Sequence, residues 1–194
     1  MRKVVFDIET TNYFSDIGKN DPASLDLAVV CLYDSADDSY KSFTQKELPG
    51  LWPILEKADL LIGFNSEHFD IPLLNKYYSG DLSKIRGVDL LKEVKKVLGR
   101  RIKLDILAEA TLGRKKTGDG TESVRWWRAG EIKKVIDYCI EDVRITKELY
   151  EYALNNHHLK YRDRKILKEI PLDTNHWEKI TEGAETKLTH TLPF

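Results

Sequence analysis

The sequence predicts an α/β fold in which a mixed central β-sheet is flanked by α-helices. Three observations carry that expectation. Compact apolar runs rich in β-branched residues crowd the N-terminal part of the chain. Two of them are separated only by Asp34-Ser35-Ala36-Asp37-Asp38, a polar string that reads as a hairpin turn. A strand–helix–strand alternation then begins, after which the spacing is mainly helical.

Residues 3–8 are an apolar run ending in acids and threonines, as suits a buried strand at the start of a sheet. Residues 25–33 and 39–44 are the two arms of the hairpin, so the sheet begins antiparallel. Residues 45–58 carry helical spacing, and residues 60–64 are a short apolar strand that returns beside the first. From residue 71 helices dominate: Pro72 suits a first helical turn, 90–98 and 104–112 are amphipathic, and 132–154 is one long helix. Residues 115–123, with Gly118 and Gly120, are the clearest loop. Beyond Asn155-Asn156 a second hairpin, 159–162 with 166–170, completes the pattern. The expected division is one domain over residues 1–170 and a tail, 171–194, of unassigned structure.

A chain of 194 residues with 41% hydrophobic content suffices for one domain with a substantial core. Lys and Arg number 31 against 32 Asp and Glu, so the global charge neither demands nor excludes a polyanionic partner. Cys31 and Cys139 each sit in an apolar stretch with no CxxC or Cys/His cluster, and read as reduced core cysteines. The N-terminal apolar run is broken by Asp7 and is too short for a signal peptide. No stretch approaches the ~20 apolar residues of a membrane span. A cytoplasmic protein without a membrane partner is therefore expected.

Three acidic sites stand out. Asp7 and Glu9 are two apart at the end of the first strand, where period-two geometry puts both on one face. Such a like-charged pair is costly beside a core unless a cation or hydrogen-bond donors compensate it, although Glu9 in a turn would leave both merely solvated. Asp70 follows the turn after the fourth strand, at a helix start where aspartate also serves as an ordinary cap. Asn65 in that turn is equally a turn former. Tyr138 and Asp142 are one helical turn apart, on the face shared by Val135, Ile145 and Leu149, so they point into the body of the protein. A core tyrosine bonded to a carboxylate would look the same.

Taken as an ordered set, FDIETT (residues 6–11), GFNSEHFD (63–70) and YCIED (138–142) resemble the three exonuclease motifs of the DEDD family, whose members include polymerase proofreading domains. The resemblance spans residues 3–152 and includes the Lys103-Leu104-Asp105 helix and the Thr111-Leu112-Gly113 turn. It implies a ribonuclease H-like fold and a metal-dependent 3′→5′ exonuclease acting on single-stranded DNA or RNA ends. Asp7, Glu9, Asp70 and Asp142 become the catalytic, metal-holding acids, and Tyr138 the residue that orients water. One branch of the family has histidine five residues before its last acid. Here Asp137 holds that position and tyrosine stands four before, as in the tyrosine branch. Asn12 departs from the glycine that relatives often carry after the first motif. The 159–170 segment is similar to the end of stand-alone or helicase-associated domains, which makes a helicase or polymerase a candidate partner.

Four such carboxylates imply two divalent cations, Mg²⁺ or Mn²⁺, typically ~3.5–4 Å apart. Asp7 is expected to bridge them, Glu9 and Asp142 to serve the water-activating ion, and Asp70 the second. Thr10, Asn65 and Phe69 are the candidate substrate contacts within the motifs. Residues 84–134 hold 15 Lys and Arg against 7 Asp and Glu, a net +8. Much of this is a solvated helix face. Around the glycine loop, Arg114, Lys115 and Lys116, and then Arg125, Trp126 and Arg128, are the candidates for binding phosphates and stacking bases. A non-catalytic nucleic-acid-binding module of the same fold and a ribonuclease H-like endonuclease are the alternatives. Sequence spacing does not choose between DNA and RNA or set the oligomeric state.

Overall fold

The computed structural model describes residues 1–114 and 122–179. A five-stranded sheet has the order β3-β2-β1-β4-β5, built from β1 (Lys3–Thr10), β2 (Leu27–Asp34), β3 (Ser39–Thr44), β4 (Leu60–Gly63) and β5 (Gly87–Asp89). The β1-β2-β3 half is antiparallel, and β4 and β5 add in parallel to the other side of β1. The helices are α1 (Phe14–Ile17), α2 (Leu48–Glu56), α3 (Asp70–Asn75), α4 (Leu90–Leu98), α5 (Leu104–Leu112), α6 (Glu122–Arg128) and α7 (Ile132–Asn156). A separate antiparallel hairpin, β6 (His158–Asp163) with β7 (Ile166–Pro171), follows α7. The mixed sheet with flanking helices agrees with the expected α/β class.

Alternation along β1 assigns the two faces of the sheet. Val4, Phe6 and Ile8 enter one core with Leu51 and Leu55 of α2 and Leu73 and Leu74 of α3. Val5 enters the other core, with Val94 of α4, Leu107 of α5, and Val135, Cys139 and Val143 of α7. Both faces are thus covered, which is why β2 reads as an almost unbroken apolar run. Asp7 and Glu9 share the parity of Val5, so the same alternation turns both carboxylates toward α7.

β5 does not stand out in the sequence, because three residues are too few to display a strand period. α1 is missed for the same reason, with only four residues. α6 begins at Glu122, inside the stretch expected to be a loop; residues 115–121 of that loop lie outside the described residues. After β7 the chain continues across the body: Leu172 and Trp177 are buried, and the Trp177 ring stacks on Tyr150 at 5.5 Å and 13°. Arg86 donates to the carbonyls of His176 (2.6 Å) and Trp177 (2.9 Å), and Lys3 pairs with Glu178 at 2.9 Å. Residues 180–194 lie outside the described residues.

Candidate active site

The cleft is opened by a mismatch in strand length. β4 pairs with β1 only along Lys3–Val5, so the C-terminal half of β1 runs on past the last β4 partner. Ligand sites of α/β sheets collect at such carboxyl ends. A register shift between Glu9 and Thr10 then breaks the β1–β2 ladder where the acids end. Asp7, Glu9 and Asp142 meet there, with carboxylate oxygens all within 4.8 Å of one another.

The turn after β4 brings in the next group. Gly63 is required at its start, since a Cβ there would come within 2.5 Å of Cβ and Oγ of Ser66. Asn65 takes a left-handed conformation (φ 68°), which asparagine tolerates better than most residues. Buried Asp89 fixes the turn by accepting the N–H groups of Asn65 (2.8 Å) and Glu67 (3.1 Å), and it also caps α4 through Leu91 (3.0 Å) and Lys92 (3.2 Å). Asp70 opens α3 and is buried. Burial pushes its carboxyl well above the ordinary carboxylate range, and the charges of Asp89 and Glu9 push it the same way. Its own N–H and that of Ile8 pull it part of the way back.

A cavity of about 470 Å³ gathers these groups. Its wall includes Asp7, Glu9, Asp70, Tyr138 and Asp142, with Asn65 and Phe69 beside them. All five sequence-derived catalytic candidates therefore share one cavity. Asp70 lines it without belonging to the three-carboxylate cluster. Tyr138 is buried one turn before Asp142, with Trp126 edge-on to its ring at 5.8 Å. Phe69 meets Phe14 edge-on at 6.1 Å. Thr10 donates its hydroxyl to the Asn12 carbonyl at 2.9 Å.

The expected basic contacts divide differently. Arg114 is tied to Glu141 (3.3 Å) and Glu148 (2.7 Å) on α7, and Arg128 to Asp16 (2.6 Å) while lying over the Tyr13 ring. Arg125 is exposed on α6, and Lys115 and Lys116 lie outside the described residues. At the cavity mouth the structure puts Arg101 and Lys103 instead, from the link between α4 and α5. Sequence reading passed over Arg101. Its signal was the Gly99-Arg100-Arg101 string between two amphipathic helices, a helix-ending glycine followed by paired cations.

Three carboxylates converging from a strand and a helix form an all-oxygen donor set, which suits a hard cation such as Mg²⁺ or Mn²⁺. Thiolate ligation is absent from this set. Cys139 lies behind Asp7, but burial and its contact with Cys31 push the thiol well above its ordinary range, so it remains an S–H group.

A sheet of this order with acids at the end of its central strand defines a protein of the ribonuclease H-like class. A family model described as the RNase_H superfamily matches residues 4–154, and the chain belongs to that superfamily. Membership supports a nuclease-like function. Among solved structures, the chain is similar to the family B DNA polymerase of the hyperthermophilic archaeon Pyrobaculum calidifontis, with a TM-score of 0.62 and 22% identity over 79% of this chain. The match spans 24% of the polymerase, about a quarter of its length. Comparison with curated proteins found no match. Among the described residues, no helix is long and apolar enough to cross a membrane.

Proposed function

We propose that this protein is a metal-dependent 3′→5′ exonuclease of the tyrosine branch of the DEDD family, hydrolysing phosphodiester bonds at the ends of single-stranded nucleic acid. The observation that carries the reading is the convergence of Asp7, Glu9 and Asp142 in one cavity with Tyr138 one helical turn before Asp142. Asp7, Glu9 and Asp142 would hold divalent ions, with Asp70 contributing from the α3 side of the same cavity. When bound, such ions supply Lewis acidity toward water and the phosphate. The Tyr138 hydroxyl orients the attacking water, and Trp126 braces its ring. Asn65 and Phe69 form the wall against which the terminal nucleotide rests. Similarity to a polymerase also makes a polymerase a candidate partner.

The test is cleavage of an end-labelled single strand with Mg²⁺ or Mn²⁺, with chelator as the control. A ladder of mononucleotide losses from the 3′ end is the expected result. Internal cuts would make the protein an endonuclease, and no cleavage with retained binding would make it a binding module.

A further inference from the structure

A second groove, of about 370 Å³, lies next to the acid cavity and shares Asn65, Leu91 and Arg101 with it. Its remaining charged wall comes chiefly from the exposed face of α4. Lys92 and Lys95 are one helical turn apart and point to the same side. Lys92 is paired with Glu67. Among the described residues, neither Lys95 nor Arg101 has a carboxylate partner, and Arg101 uses one nitrogen to donate to the Asn65 amide oxygen at 2.9 Å. Asp89, the other acid of the groove, is buried and turned inward to four backbone N–H groups. The surface of the groove is therefore cationic, in a molecule whose net charge is −1.

We infer that this groove binds the sugar–phosphate backbone of the single strand whose end occupies the acid cavity, with Lys95 and Arg101 contacting successive phosphates. This inference rests on the nuclease reading of that cavity. Two arrangements favour it over the basic residues around α6. Arg114 and Arg128 are held in ion pairs with acids of the protein, so a phosphate would have to displace a carboxylate from each. Lys95 and Arg101 face no such competitor. The groove also shares Asn65, Leu91 and Arg101 with the acid cavity, so a strand leaving one enters the other past the Arg101 guanidinium. Arg101 holds Asn65 at the boundary and still has guanidinium N–H groups for a phosphate oxygen.

The experiment is fluorescence anisotropy of the full chain with a labelled single-stranded DNA of about 12 nucleotides, inside the range that one binding track covers. Salt is varied from about 50 to 200 mM, a range over which phosphate contacts dominate the response. The double variant Lys95→Ala, Arg101→Ala should bind about 10-fold or more weakly at low salt, with the log–log salt slope reduced by roughly 0.7 per lost contact. Lys46→Ala with Lys57→Ala, on the opposite face of the sheet, makes the same change in net charge and should leave the slope at the wild-type value. An unchanged slope in the groove variant, an equal loss in the control, or no binding by the wild type would overturn the groove. Binding that depends on Lys95 and Arg101 in a protein that cleaves nothing would keep the groove and remove the exonuclease reading.

Discussion

Asp7 is held from behind as well as from its neighbours. The Cys139 thiol lies 3.4 Å from the Asp7 carbonyl oxygen and 3.6 Å from Oδ2, close enough for its one S–H to donate to either. Replacing Asp7 by alanine should abolish cleavage in Mg²⁺ or Mn²⁺. The fold should survive, because the change removes one of three crowded negative charges. Cleavage assays and urea unfolding of the same preparation check both halves, and full activity in the Asp7→Ala protein would remove it from the chemistry. Tyr138→Phe is a gentler change, since the ring still packs against Trp126. Metal affinity should hold while the single-turnover rate falls roughly 10- to 1000-fold, the scale of one positioned catalytic group. Wild-type rates would return Tyr138 to the core, and lost metal binding would make it a support for Asp142. The pairing of Asp7 with Glu9 and of Tyr138 with Asp142 was legible in the sequence because strand alternation and the i, i+4 helical interval act over a few positions. Their grouping into one site came from the resemblance of the three motifs taken in order. Asp89 was not. Two of its four N–H donors come from the helix it opens, but the other two come from a turn 22 and 24 residues earlier, so only the folded chain distinguishes it from a site acid.

Among the elements, the turn from β4 into α3 and the β2–β3 hairpin bear the most testable strain and charge. Gly63→Ala forces a methyl into Ser66, whose Cβ and Oγ cannot swing away as a long side chain would. The expected cost is about 1–3 kcal/mol, the range for overpacking. Activity should fall further than stability alone explains, because the displaced turn leads directly into Asp70 at the start of α3; urea midpoints and rates measured on one variant compare the two. At the hairpin, buried Asp34 accepts from Arg2 (2.6 and 3.0 Å), the Ala36 N–H (3.0 Å) and Lys41 (3.2 Å). The Arg2 hydrogen bond holds its carboxyl well below the usual range, against the opposing effect of burial. A carboxylate depressed in the folded state stabilises the protein above its unfolded value near pH 4, and loses that contribution as pH falls toward the folded value. Asp34→Asn should therefore cost about 3 kcal/mol near neutrality, with the difference from wild type narrowing as pH drops below about 4. Urea unfolding across that interval checks it, and a difference independent of pH would assign the loss to geometry instead of charge. Long elements were legible and short ones were not. α7, with 25 residues, repeats its apolar period many times, whereas β5 and α1 are recognisable only by what they pair with or pack on.

At the scale of the molecule, the segment after β7 ties together elements far apart in the chain. Trp177 is 1% exposed, and its ring lies flat on Tyr150 of α7. Trp177→Ala should destabilise the protein by about 3–5 kcal/mol, the usual cost of emptying a large aromatic site. A denaturation curve measures it, and a loss under about 1 kcal/mol would show that the ring is dispensable. In sequence this region is polar except for isolated large residues, so neither period exposes it; the stacking partner of Trp177 lies in another element. The same segment brings Glu178 to Lys3, with Nζ and Oε1 2.9 Å apart. Residues near the beginning and end of the described chain are thus neighbours in space, and the order in which the strands are synthesised is not imposed by their positions in the sheet. A circularly permuted protein, with the two ends of the chain joined through a glycine linker and new ends opened within the 35–38 turn, would keep every described strand beside its present neighbour.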